Sequence, residues 1–330
     1  MVATKRNREE QVIDSIKLTE ILVSLATVAV LTLTTMFATS DANVAPPSEN
    51  KAAASYISAA EIIQYGQPER LALQSGVAMV VDDRDGVMLY GRNIQRQRPI
   101  ASLTKLMTAL VIIESGLILD EPLEITRADR DRLRGTRSRL PFGAVFTRYD
   151  LMRAALGASD NRAAAALART YPGGDEAMLA AMNAKARELG MTQTRFADAS
   201  GLDNGNVSTA SDLARLVNET QKHSLFQVMT TAAAFRISDR VSGRQIAFRN
   251  TNRLVHRDSW EIGLSKTGYT AAAGNCLIMQ ATISDRPLTI VLLNSWGKYS
   301  RYGDAKRIHQ WLQKAERRVP HIVTARASQS

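Results

Sequence analysis

The chain reads as an α+β protein: an antiparallel sheet flanked by helices, with an all-helical lobe inserted between its strands. Three observations lead there. A β-rich pair opens the folded part, a block of helical segments follows, and a run of strands closed by one helix ends it. With 330 residues, 45% of them hydrophobic, the chain can build one large domain or two lobes rather than a string of modules.

Residues 21–40, "ILVSLATVAVLTLTTMFATS", carry no charge and follow "KRNR", the pattern of an export signal or a single membrane anchor. The small residues of "FATSDANVA" allow cleavage after Ser40 or Ala42, so residues 1–42 are expected to be a signal peptide or an anchor of an exported protein. Pro46, Pro47 and an alanine run make residues 43–72 a linker. "SGVAMVVDDRDGVMLYGRN" then gives two short strands around Asp-Arg-Asp-Gly, a hairpin signal. Helices are expected around 102–115, 148–156, 161–170 and 174–189, the last stopped by Gly190. "STASDLARLVNETQKH" adds another, opened by small hydroxyl caps. Beyond Phe235 come the strands "AFRIS", "RQIAFRN", "WEIGLSKTG", "NCLIMQATI" and "LTIVLLNSW", with "SDRP" turning the last pair. "DAKRIHQWLQKAERR" closes a catalytic domain expected over 73–315, with a tail at 316–330.

Composition excludes several classes of function. The single cysteine, Cys276, forms no internal disulfide, and its apolar surroundings mark it as buried. The four histidines are scattered without metal spacing, so no metal and no cofactor is expected. The net charge of +10 raises nucleic acid as a partner. In the densest basic stretch, "RADRDRLRGTRSR", acids alternate with arginines and no nucleic-acid-binding motif accompanies them. That segment is read as a solvated face.

The pattern S-x-x-K occurs three times, at Ser48, Ser102 and Ser295. Ser48 lies in the linker, and Ser295 runs from a strand end into a loop. Ser102 heads a helix, where Lys105 shares its face and can bring an amine to the hydroxyl. A serine is a poor nucleophile until a base takes its proton. A lysine can be that base only when neutral, which requires burial or a neighbouring cation. Two further motifs follow in order: Ser159-Asp160-Asn161 between two helices, and Lys266-Thr267-Gly268 near the end of a strand. The ordered set S-x-x-K, S-D-N and K-T-G belongs to penicillin-interacting serine acyltransferases.

On these motifs and on "NRAAAALA", "AMNAKARELGMTQTRF", "FRNTNRLVHRDSW" and "KTGYTAAAGNCLIM", the chain resembles the low-molecular-weight penicillin-binding proteins. Within them it is most similar to D-alanyl-D-alanine endopeptidases of the penicillin-binding protein 7 type. The resemblance spans roughly residues 73–312. It implies the transpeptidase fold shared with serine β-lactamases, and it implies a role for each matching residue. Ser102 would form the acyl-enzyme and Lys105 would be its base. Ser159 would relay a proton to the leaving amine, and Asn161 would orient Lys105 and the substrate. Lys266 and Thr267 would receive the substrate carboxylate, and Gly268 would let the substrate backbone lie against the strand. The backbone N–H groups of Ser102 and Tyr269 would form the oxyanion hole. Asn161 as a helix cap and Thr267 as a plain strand residue are the bland alternatives.

The expected activity is that of a periplasmic serine DD-peptidase acting on peptidoglycan, an endopeptidase opening D-Ala–meso-diaminopimelate cross-links. A D-Ala-D-Ala carboxypeptidase is the alternative. A β-lactamase or a non-catalytic penicillin-binding sensor ranks below it. The expected partners are cross-linked muropeptides and, as covalent inhibitors, β-lactams. Association with the inner membrane would run through residues 21–40.

Overall fold

A computed structural model describes residues 57–320. The leader, the first part of the linker, "SENK" and residues 321–330 lie outside the described residues.

Five strands form the main sheet: β1 (Ser75–Asp82), β2 (Met88–Arg92), β9 (Glu261–Thr270), β10 (Gly274–Ile283) and β11 (Arg286–Ser295). Their order is β2-β1-β11-β10-β9, and every neighbouring pair is antiparallel. Side chains of successive residues point to opposite faces of a strand. In β1, Val77 enters the core on one face and Ala78 and Val80 the core on the other; in β10, Cys276 and Ile278 oppose Leu277 and Met279. Both faces are covered, which is why these strands are continuous apolar runs rather than alternating ones.

One face carries the first and last helices, α1 (Ala59–Gly66) and α8 (Ser300–Arg318). Helix α1 corrects the linker reading in part. Ser58 and Glu61 form a capping box, and Ile62 is buried against a core that includes Ile308 and Leu312 of α8. The run is short and rich in alanine, but its apolar face is fixed by packing that composition does not reveal. Helix α8 also continues to Arg318, into the stretch expected as a tail, and Val319 just after it is buried.

The opposite face carries the helical lobe: α2 (Lys105–Glu114), α3 (Arg148–Gly157), α4 (Asn161–Arg169), α5 (Gly174–Glu188), α6 (Ala210–Thr220) and α7 (Ser224–Thr231). Helix α2 is buried from Lys105 through Ile112, an all-round apolar helix at the centre of the lobe. Short pairs decorate it: β3 (Arg98–Pro99) with β6 (Val207–Ser208), β4 (Pro122–Glu124) with β5 (Val145–Thr147), and β7 (Ala234–Ser238) with β8 (Gln245–Arg249). The fold is the expected α+β arrangement. It places the start of α2, the turn before α4 and the end of the edge strand β9 around one cleft.

Candidate active site

Ser102 lies not in α2 itself but in a 3-10 turn, Ala101–Thr104, that feeds it. Residues i and i+3 eclipse in such a turn, so the S-x-x-K pairing survives the change of helix type. Lys105 Nζ donates to Ser102 Oγ at 2.9 Å and to Asn161 Oδ1 at 2.6 Å, and it also donates to the carbonyl of Ser200. All three acceptors are uncharged oxygens. Lys105 is fully buried, and burial lowers its pKa from 10.5 to about 8, against the opposing charges of Asp198, Asp160 and Asp131.

The S-D-N motif fills the turn between α3 and α4. Asp160, not Asn161, caps α4, accepting from the Ala163 N–H at 3.0 Å. That leaves the Asn161 amide free to face the site, where Nδ2 donates to Thr136 Oγ1 at 2.9 Å while Oδ1 holds Lys105. Ser159 takes a left-handed backbone, φ 58°, to make the turn. Thr136 belongs to the arginine-rich loop. Its six arginines, Arg127, Arg130, Arg132, Arg134, Arg137 and Arg139, are exposed as a solvated face would be. Two of them are also tied down, Arg134 to the Leu202 carbonyl at 2.8 Å and Arg139 to the Ala247 carbonyl at 2.6 Å.

Lys266 and Thr267 sit on β9. Lys266 is buried, and burial holds its pKa well below the usual lysine value, helped by the nearby charges of Lys105 and Arg301. Thr267 Oγ1 donates to Thr251 Oγ1 at 2.7 Å. Tyr269 projects from the strand with its ring exposed. A methyl group added at Gly268 would stand 3.1 Å from the Ile100 carbonyl and from the Ser102 nitrogen. This glycine therefore lets β9 itself lie against the nucleophile's turn, a tighter requirement than room for substrate. Gly201 does the same from the other side: with φ +83°, a Cβ there would be 2.0 Å from the Ala101 oxygen. Ala101, between the two glycines, is held at φ 48°.

The structure thus brings together Ser102, Lys105, Asn161 and the Lys266–Tyr269 strand, with the Ser159 turn leading into α4. Sequence reasoning missed three supports. Ser200 acts through its carbonyl, which has no side-chain signature. Thr136 lies in a segment read only for its charge. Arg301, which donates to the Gly268 carbonyl at 3.1 Å and to Asn275 Oδ1 at 3.0 Å, stands 33 residues from the strand it braces. The remaining candidate centres differ in kind. "SWGK" has Ser295 buried against Ser75 Oγ at 2.7 Å, with Lys298 exposed beyond the strand. Cys276 is buried, its thiol pKa pushed up to about 11. Among the described residues, Glu114, Glu219 and His223 bring ligand atoms within 4.8 Å of one another. Lys185 lies 2.5 Å from Glu114, and Lys222 lies 2.7 Å from Glu219.

A serine bonded to a buried lysine, facing a second buried lysine on the edge of an antiparallel sheet, defines a serine acyl-transferring peptidase. The D-alanyl-D-alanine carboxypeptidase family of serine peptidases, S11, matches residues 63–297, and the chain belongs to that family. It is 43% identical over 263 residues to the D-alanyl-D-alanine endopeptidase of Pseudomonas aeruginosa, covering 80% of this chain and 85% of that one. To the D-alanyl-D-alanine endopeptidase of Escherichia coli it is 41% identical over 247 residues, covering 75% of this chain and 79% of the relative. The crystal structure of the Streptomyces K15 DD-transpeptidase superposes with a TM-score of 0.68 at 26% identity, covering 73% of this chain and 97% of the other.

Proposed function

We propose that this serine DD-peptidase is an endopeptidase of peptidoglycan that hydrolyses D-Ala–meso-diaminopimelate cross-links through an acyl-enzyme on Ser102. The observation that carries the chemistry is the 2.9 Å contact between Ser102 Oγ and a fully buried lysine whose pKa is lowered to about 8. Neutral Lys105 takes the hydroxyl proton as Oγ attacks the D-Ala carbonyl. The N–H groups of Ser102 and Tyr269 receive the developing oxyanion. Ser159 passes a proton to the leaving amine as the C–N bond breaks, and water then cleaves the ester. Lys266 and Thr267 hold the carboxylate beside the scissile amide. Support for cross-links over free D-Ala-D-Ala comes from the two relatives named as endopeptidases, more similar to this chain than the D-alanyl-D-alanine carboxypeptidase DacF of Bacillus subtilis, at 31% identity. β-Lactams acylate the same serine. The enzyme works outside the cytoplasm, in the periplasm, carried there by residues 21–40, which either are removed or hold it to the inner membrane.

Three substrates test this: a cross-linked dimer, the same dimer amidated at the diaminopimelate carboxylate, and a pentapeptide ending in D-Ala-D-Ala. The dimer is expected to be cleaved faster than the pentapeptide. Amidation removes a charge-assisted hydrogen bond worth about 1.5–3 kcal/mol, lowering the rate about tenfold or more. A clear preference for the pentapeptide would make the enzyme a carboxypeptidase, and equal rates on the two dimers would remove the carboxylate clasp.

A further inference from the structure

Beyond the cleft, a concave surface begins two residues from Thr267's partner, at Arg253. Thr251 receives the Thr267 hydroxyl on its side chain, and its carbonyl accepts from Tyr302 Oη at 3.1 Å. Tyr302 is also a wall of a groove of about 730 Å³ between the segment Arg253–Trp260 and the first half of α8. Arg253, Arg257 and Lys306 line it, and no aspartate or glutamate does. These three cations are exposed, and none forms an ion pair with a described residue. The nearest acids in sequence, Asp258, Glu261 and Asp304, lie outside the lining, and Asp304 is buried and paired with Arg307. Arg253 rests over the Tyr299 ring, 4.6 Å from its centroid, which orders its guanidinium at the groove. Trp260 supplies a half-buried apolar wall, tilted against His309 at 5.1 Å.

Unopposed cations over aromatic walls suit an anionic chain with an apolar body. We infer that this groove holds the second stem peptide of the cross-link, the one whose diaminopimelate amine leaves. This inference rests on the endopeptidase reading. Once Lys266 and Thr267 hold the carboxylate at the scissile bond, the rest of that stem still carries carboxylate groups and has to run away from the cleft. The groove is tied to that carboxylate position through Tyr302, which donates to the Thr251 carbonyl while the Thr251 side chain accepts from Thr267. A departing D-alanine has no such continuation, so the groove acts on cross-links and not on pentapeptide ends. It supplies the room around the leaving group on which the choice between the two activities depends.

The test is the double charge reversal Arg257→Glu/Lys306→Glu in the full chain, with Arg257→Gln/Lys306→Gln as a milder partner. For the reversed variant, kcat/KM on the cross-linked dimer is expected to fall about tenfold, equivalent to about 1.4 kcal/mol, through KM. Penicillin acylation and pentapeptide turnover stay within about twofold, and the Gln variant falls between wild type and the reversal. Raising the salt concentration raises the wild-type KM for the dimer and leaves that of the reversed variant nearly flat. An unchanged dimer KM in the reversed variant overturns the assignment, as does an equal loss on dimer and pentapeptide. Binding of the dimer to Ser102→Ala protein, with and without the reversals, keeps the groove separate from turnover. If wild type binds dimers through the groove but never cleaves them, the cross-link activity fails and the groove stands. If reversal leaves that binding untouched, the groove fails whatever the activity.

Discussion

A buried ion pair on one face of the sheet and two buried lysines on the other hold charge in opposite ways. On the side of α1 and α8, each buried charge meets an opposite charge or several donors. Asp82 pairs with the buried Arg286 and, at 3.2 Å, with Arg84. Asp304 accepts from the Ser75 N–H at 2.7 Å and the Ser75 hydroxyl at 2.6 Å, and pairs with Arg307 at 2.7 Å. On the side of the helical lobe, Lys105 and Lys266 are as deeply buried, yet neither forms an ion pair with a described carboxylate. Lys105 donates only to a hydroxyl, an amide oxygen and a carbonyl, and Lys266 to the Thr267 carbonyl at 3.0 Å. Pairing holds a group in its charged form, whereas burial among neutral acceptors brings its pKa towards neutrality, where it can give and take a proton. Pairs such as Asp82–Arg286, and Asp129–Arg169 within the lobe itself, hold the fold, whereas the two unpaired lysines keep their protons for chemistry.

The comparison is broken most directly at the nucleophile. Ser102→Ala is expected to abolish both labelling by fluorescent penicillin and peptide hydrolysis, while thermal unfolding changes little. Label surviving in Ser102→Ala, or mapping to Ser295, would place the chemistry elsewhere.

Next comes Lys105→Arg. It keeps the positive charge but installs a guanidinium that does not deprotonate, so acylation should drop about 10²–10⁴-fold. With a lysine pKa of about 8, the wild-type acylation rate should climb with pH up to about 8 and then level off. The arginine variant should lack that limb. The sign for stability follows from the same shift. Between pH 8 and 10.5 the unfolded chain holds a proton on this lysine that the folded chain has lost, so stability contributed here rises with pH across that window. The penalty is fully present below pH 8 and amounts to about 3 kcal/mol at most. Lys105→Met should therefore be the more stable protein at pH 7, as chemical denaturation would report. Equal stabilities at pH 7 would mean that the buried amine carries no such strain.

On the opposite face, Arg286→Met leaves Asp82 buried with only the partly exposed Arg84 for company. Removing one partner of a buried pair typically costs about 3–5 kcal/mol, and the surviving contact to Arg84 puts the expected loss near the lower end. Penicillin acylation per folded molecule should be unchanged. A variant equally stable but slow to acylate would invert the assignment of the two faces. The smallest effect is expected for Gly268→Ala. Its Cβ would press the Ile100–Ser102 backbone at 3.1 Å, moving the nucleophile by a few tenths of an ångström, and acylation should slow about tenfold while stability falls by about 1 kcal/mol or less. A smaller effect on acylation than on stability would mean that the turn has slack.

The residues themselves decided much of this protein. The order of the long strands and of most helices is legible because those helical segments carry caps and stops, and the strands are apolar runs bounded by turns; the two eight-residue helices α1 and α7 are not. The three motifs are legible because each is short and local: Ser102 and Lys105 meet within one turn, and Lys266–Gly268 lie together on one strand. What remained hidden depends on groups far apart in the chain. That Asp160 rather than Asn161 caps α4 goes with the Asn161 amide being taken up by Lys105 and Thr136, both distant in the chain. That Gly268 and Gly201 press on Ala101 from two sides follows from packing a sheet edge and a loop against the same turn. Ser200 contributes a carbonyl, which every residue possesses. The neutral setting of Lys105 is likewise a tertiary fact. A sequence can place an amine beside a hydroxyl, but only the surrounding fold removes the water and withholds the carboxylate, and those two conditions lower its pKa.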